Sequence, residues 1–264
     1  MTLIFKRAIQ CRAIAVIATA LITFAGPGHT NSTITAIYPD NVDSEYQQYL
    51  DWLTAPEGLD AMIGFVNDTI AFKHPLVVNV DTDDGPLYDP AIEQIHLPLS
   101  FLADIERRFE AAGESWHENN DISVIVMDVV MHTLFHEVGH ALIAQYELPV
   151  VGREEDGVDG LANVLLLDYI EDGDQIASSA ADMFALEDLD YDSYSEENFW
   201  AEHSLDIQRY YSTYCHIYGS DPERHDALID DDLLSEERAE QCEYEYQALS
   251  DSWHTLLEPY LLQP

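Results

Sequence analysis

His136, Glu137 and His140 fall within one short run, His136-Glu137-Val138-Gly139-His140. On a helix, residues four apart lie one above the other on the same face. The two imidazoles can then address one metal ion. Glu137 turns to one side, where it can reach a metal-held water without being a ligand. That is the physical content of the HExxH pattern. Zinc lowers the pKa of such a water toward neutrality, and a neighbouring carboxylate takes its proton as the oxygen attacks a carbonyl. The spacing therefore predicts a zinc-dependent hydrolase, a peptidase first of all, with Glu137 as general base. The plainer alternative is two satisfied core histidines beside a stray glutamate, but three partners would have to be found for them at once.

Two histidines do not complete a catalytic zinc site, which takes three protein ligands and keeps a fourth position open. Acidic residues crowd the segment Gly152-Arg153-Glu154-Glu155-Asp156-Gly157-Val158-Asp159. If a helix begins here, Glu155 and Asp159 share a face. Glu155 is the expected third ligand, with Asp156 the next choice. Asp159 is expected to accept the free N–H of His136 or His140 and so fix its tautomer. Glu154 and Asp156 otherwise read as solvated carboxylates favouring a helix N-terminus. Peptide hydrolysis also needs a donor for the developing oxyanion. His203 is the first candidate and Tyr210 the second, in a block that also holds Arg209 and Tyr211. Asp128 and His132 continue the four-residue stripe toward His136 and read as packing or supporting groups.

These residues need elements to hold them. From Asp121 to Tyr146 the chain is apolar in almost every helical direction, which marks a buried helix; Asn119, Asn120 or Asp121 can cap it. A further helix is expected from about Arg153 to Ile170, after the break at Pro149 and Gly152. Upstream, helical spacing covers Ser44 to Val66 with an interruption at Pro56-Glu57-Gly58, and again Leu99 to Ala112. Pro75 to Val80 and Ala91 to Leu97 read as strands. The rest reads as helical, with a loop near Gly219 to Pro222.

The stretch HTLFHEVGHALIAQYELPVVGREEDGVDGLA, residues 132–162, resembles the gluzincins, HExxH peptidases whose third ligand is a Glu on a following helix. In that family an Asp one turn later supports a ligand histidine, and Glu155 and Asp159 match the pair. The interval from His140 to Glu155 is shorter than in well-studied gluzincins. More narrowly, the chain resembles an uncharacterised bacterial family of metallopeptidase type, around GREED, EHSLDIQRYYSTYCHIYGSDP and RAEQCEYEY. The resemblance implies an α+β, mostly helical fold, with a zincin-like core and a small β-sheet beside the HExxH helix. It also implies that Ala91 to Leu97 is an edge strand by the site, where an extended peptide could pair.

The 264 residues carry 51 acidic side chains against 10 Lys and Arg, a formal net charge of −41. Such a chain repels nucleic acid and anionic membrane surfaces and attracts cations. Lys6, Arg7 and Arg12 precede an apolar run from Ala13 to Ala25, the layout of a signal peptide over residues 1–25; an uncleaved anchor is the alternative. Residues 26–42 read as a flexible leader and 43–264 as the zincin-like catalytic domain. Cys11 would leave with the signal, and Cys215 and Cys242 are expected to form a disulfide in an exported, periplasmic or extracellular protein; two buried thiols are the other option. The expected cofactor is Zn2+ and the expected partner a peptide or protein substrate. A non-catalytic exported zinc-binding or interaction module, or a zinc hydrolase of another substrate, are the rival readings.

Overall fold

The computed structural model describes residues 33–113, 116, 121–230 and 233–262. The export signal expected over residues 1–25, the leader up to residue 32, and the capping choices Asn119 and Asn120 lie outside the described residues.

Four short strands make one sheet: β1 (Ile34–Ile37), β2 (Leu76–Val80), β3 (Leu87–Asp89) and β4 (Gln94–Leu97), in the order β1-β2-β4-β3. β2 pairs in parallel with both β1 and β4, and β3 runs antiparallel to β4 with Leu87 opposite His96. In β2, Leu76, Val78 and Val80 point into the core while Val77 and Asn79 are half-buried, the period of two that a pleated strand imposes. Two expectations need correction. Part of the supposed leader is β1, with Ile34 buried; a four-residue strand paired to a distant segment carries too little periodicity to be told from a polar leader. And β4 begins only at Gln94 and is paired on both sides, so the edge strand beside α4 is β3, not the Ala91 to Leu97 segment.

The helices are α1 (Gln47–Leu53), α2 (Leu59–Thr69), α3 (Leu99–Ala112), α4 (Ile122–Tyr146), α5 (Glu154–Tyr169), α6 (Gly173–Asp188), α7 (Glu196–Trp200), α8 (Asp206–Ser220), α9 (Ala227–Asp230) and α10 (Glu236–Leu257). The fold is thus α+β and mostly helical, as expected. The motif helix α4 is apolar on all sides, and α3, α5, α6 and β3 pack around it. It is long and apolar enough to cross a membrane, yet most of its apolar window is buried in the fold, as for the central helix of a core. Asp121 caps it, accepting from the Ser123 N–H at 3.0 Å.

Three local devices fix what surrounds the motif. At the C-terminal end of α4, buried Gln145 accepts from the N–H groups of Lys73 and His74 at 3.0 and 3.1 Å and donates to Glu93 at 2.9 Å. Glu93 also accepts from the Tyr88 hydroxyl at 2.7 Å, so the edge strand is tied to α4. On the other side, Gly139 lets α5 come close: a Cβ there would lie 2.8 Å from Val158 Cγ1 and 2.9 Å from Val158 Cβ. Further out, the Cys215–Cys242 disulfide joins α8 to α10.

Candidate metal centre

α4 presents His136 and His140 from one face, one turn apart, toward the first turn of α5. Their Nε2 atoms are 3.2 Å apart. Glu155 Oε2 lies 3.2 Å from His136 Nε2 and 3.3 Å from His140 Nε2. Two ligands at about 2.0–2.1 Å from a tetrahedral zinc ion stand about 3.3–3.4 Å apart. All three separations fit that triangle.

The protonation pattern supports the same conclusion. His136 Nδ1 faces Asp159 Oδ1 at 2.7 Å, and His140 Nδ1 faces Glu154 Oε1 at 2.8 Å. A carboxylate accepts only, so each Nδ1 carries the proton and, in the neutral ring, each Nε2 offers a lone pair. Two lone pairs and a carboxylate oxygen therefore converge on one point, a donor set that calls for a cation. His136, His140 and Glu155 form the group whose ligand atoms all lie within 4.8 Å of one another. That is three donors among the described residues, which leaves the fourth position open.

The supporting shell is largely buried charge. Asp159 is held by Arg209, whose Nε and one Nη donate to its two oxygens at 2.8 and 2.9 Å. Arg209 lies in turn over the Phe184 ring, 3.8 Å from its centre. Burial alone would raise the Asp159 pKa, but Arg209 and His136 hold it well below the usual range. Glu155 behaves alike: burial would raise it, and His136, His140 and His203 hold it far down. Burial would lower the His136 pKa, but hydrogen bonds to Asp159 and Glu155 raise it, so a cation at this point would displace the Nε2 proton. For Glu137, burial raises the pKa, and this outweighs the nearby histidines. A hydrogen bond with the Tyr88 backbone ties Glu137 to the edge strand and works against that rise.

A cleft of about 850 Å³ opens over these groups. Its walls include Pro86, Leu87 and Tyr88 at the edge strand, and Trp200 and His203 opposite. His203 stacks on His136 with ring centres 5.9 Å apart, and its Nε2 is 2.9 Å from Glu155 Oε2. Arg153 supports the loop by donating to the carbonyls of His203 and Phe199 at 2.9 and 3.3 Å.

Of the residues singled out from sequence, the fold brings His136, Glu137, His140, Glu155, Asp159 and His203 together. Asp159 serves His136. Tyr210 is a correction: it packs against Tyr211 and Tyr214 and is not among the residues of the cleft. Arg209 and Tyr210 are consecutive on α8, so their side chains leave the helix about 100° apart, and Arg209 took the inward direction. Asp156, the second choice for the third ligand, is exposed and outside the donor group. His132 is buried edge-on against Phe184, and Asp128 accepts from Ser179 at 2.8 Å, so both belong to packing.

Two participants were missed. Glu154, read as a solvated helix-start carboxylate, orients His140. Arg209, read only as part of a block, neutralises Asp159. A signal for Arg209 was present: with 10 basic residues against 51 acidic ones, each Arg is a scarce counter-ion and a buried carboxylate must claim one.

A family model described as "Putative metallopeptidase" (DUF4344) matches residues 38–257. No curated protein and no solved structure matches the chain.

Proposed function

The chain belongs to this family of metallopeptidase description, and on that premise we propose that it is a zinc-dependent hydrolase that cleaves peptide bonds. The observation that carries the reading is the convergence of His136 Nε2, His140 Nε2 and Glu155 Oε2 at 3.2–3.3 Å from one another, with an uninvolved carboxylate, Glu137, beside them. Zinc held by these three would supply a Lewis acid and bring the pKa of water near neutrality.

The chain's own residues do the rest. Glu137, with its pKa raised by burial, takes a proton from the attacking water at its carboxylate and passes it to the leaving nitrogen. His203, 47% exposed at its side chain, donates from its imidazole to the carbonyl oxygen as negative charge grows there. β3, at the sheet edge beside the site, is where an extended substrate would pair. Asp159 and Glu154 hold the two rings in the tautomer that presents Nε2. A peptide or protein substrate is the partner this arrangement suits. The Cys215–Cys242 disulfide supports an oxidising, exported setting.

The test pairs metal content with turnover. Glu137→Gln is expected to bind one zinc per chain as the wild type does, and to lose about 10²- to 10⁴-fold in kcat on a peptide-library substrate. Unchanged hydrolysis in that variant would remove the mechanism. A fourth protein ligand on the bound metal, with no hydrolysis, would favour the non-catalytic module instead.

A further inference from the structure

Behind the metal-binding edge lies a second cavity, of about 320 Å³, which shares Pro86, His136, Glu137 and His203 with the main cleft. Phe101, Val129, Met183 and Phe184 give it one apolar side, and His132 and Thr133 add polar groups. Glu187 and Arg209 add charge to this lining. A third cavity, of about 390 Å³, also reaches Glu187 and adds Asp190 and Asp206 to its surroundings.

The two cations near Glu187 are already committed. Arg209 makes a two-point ion pair with Asp159 and approaches Asp206 at 3.7 Å. Arg108 is bound to Asp104 at 2.6 Å and to Asp190 at 2.7 Å. Counting Asp104, Asp159, Asp190, Asp206 and Glu187 against Arg107, Arg108 and Arg209 gives five carboxylates to three guanidinium groups. The Glu187 carboxylate accepts no hydrogen bond among the described residues, while its backbone carbonyl accepts from the Asp190 N–H at 3.0 Å. Glu187 is a half-buried carboxylate with surplus negative charge around it, in a cavity whose apolar side suits an aliphatic stem.

We propose that this cavity is a specificity pocket for a basic side chain, lysine or arginine, of a peptide held across the metal centre, with Glu187 as the residue that selects it. The proposal rests on the hydrolase reading above. Phe101, Val129, Met183 and Phe184 would cover the methylene stem, and the ammonium or guanidinium head would meet Glu187. Burial raises the Glu187 pKa to about 7, with Asp206 adding to the effect. An arriving cation would relieve that cost, whereas a neutral side chain would deepen it. The formal charge of −41 draws cationic peptides toward the same surface.

The experiment compares matched peptides that differ at one position, lysine against its uncharged near-isostere norleucine. On the zinc-loaded wild type, kcat/KM for the lysine peptide should exceed that for norleucine by about 10- to 100-fold, the range for a hydrogen bond to a charged group. Glu187→Gln should reduce that ratio by about tenfold or more. Glu187→Lys should invert it in favour of a glutamate peptide, an outcome that loss of packing alone does not produce. Binding of the same peptides to zinc-loaded Glu137→Gln, with and without Glu187→Gln, is read by calorimetry. If no peptide is hydrolysed but lysine is bound preferentially and only with Glu187 present, the hydrolase reading fails and the pocket stands. No preference for lysine in hydrolysis or binding, or one that survives Glu187→Gln, overturns the pocket.

Discussion

Each imidazole of the candidate metal centre has its own carboxylate, and the two carboxylates differ in environment. Asp159 is buried against Arg209, while Glu154 is 50% exposed at its side chain. Replacing them therefore separates two effects. Asp159→Asn leaves a buried guanidinium without its counter-charge. It should weaken zinc binding by about 10- to 100-fold and lower folding stability by about 3–5 kcal/mol. Glu154→Gln should weaken zinc binding by up to a similar factor, yet move stability by no more than about 0.5 kcal/mol. Zinc titration against a competing chelator and urea unfolding of the metal-free proteins give the two readouts. Equal stability losses in both variants would contradict the division of roles.

Helix contact decides whether the proposed third ligand reaches the two histidines. Glu155 belongs to α5 and the histidines to α4, and Gly139 sets their separation at the Val158 contact. In Gly139→Ala the new methyl meets Val158 through atoms of a stiff, β-branched side chain close to the backbone. The helices must part or shift. We expect a loss of about 1–3 kcal/mol in stability and weaker zinc binding, because a displaced Glu155 no longer completes the triangle. Adding Val158→Ala should recover much of both. If zinc affinity in Gly139→Ala equals that of the wild type, the close crossing is not what positions Glu155.

At the scale of the whole molecule the excess of carboxylates controls pH behaviour, because some of them are buried. Asp128 and Asp182 each have a pKa raised to about 6, chiefly by burial. For an acid whose folded pKa is raised, the fold prefers the protonated form. Its contribution is most favourable below the unfolded value near 4 and is lost as pH rises through about 6. Asp128→Asn removes that dependence and can still accept from Ser179. Relative to wild type, the variant should gain up to about 3 kcal/mol above pH 7 and show little difference below pH 4. Parallel stability curves from pH 4 to 8 would mean that Asp128 is already ionised in the fold at no cost.

What the sequence settled was local. His136, Glu137 and His140 sit within one helical turn, so the period of the helix alone fixes how their side chains face, whatever surrounds them. The helices α3, α4 and α5 were legible for the same reason, and Glu155 with Asp159 followed from one more turn of the same geometry. The tertiary structure decided everything that joins distant segments. It paired Asp159 with His136 and gave His140 to Glu154, brought Arg209 in across 50 residues, turned Tyr210 away, and put β3 rather than β4 at the sheet edge. It also found β1 inside a stretch that reads as leader. Such choices depend on which faces meet when helices and strands pack, and side-chain spacing along a single element holds no record of its neighbour.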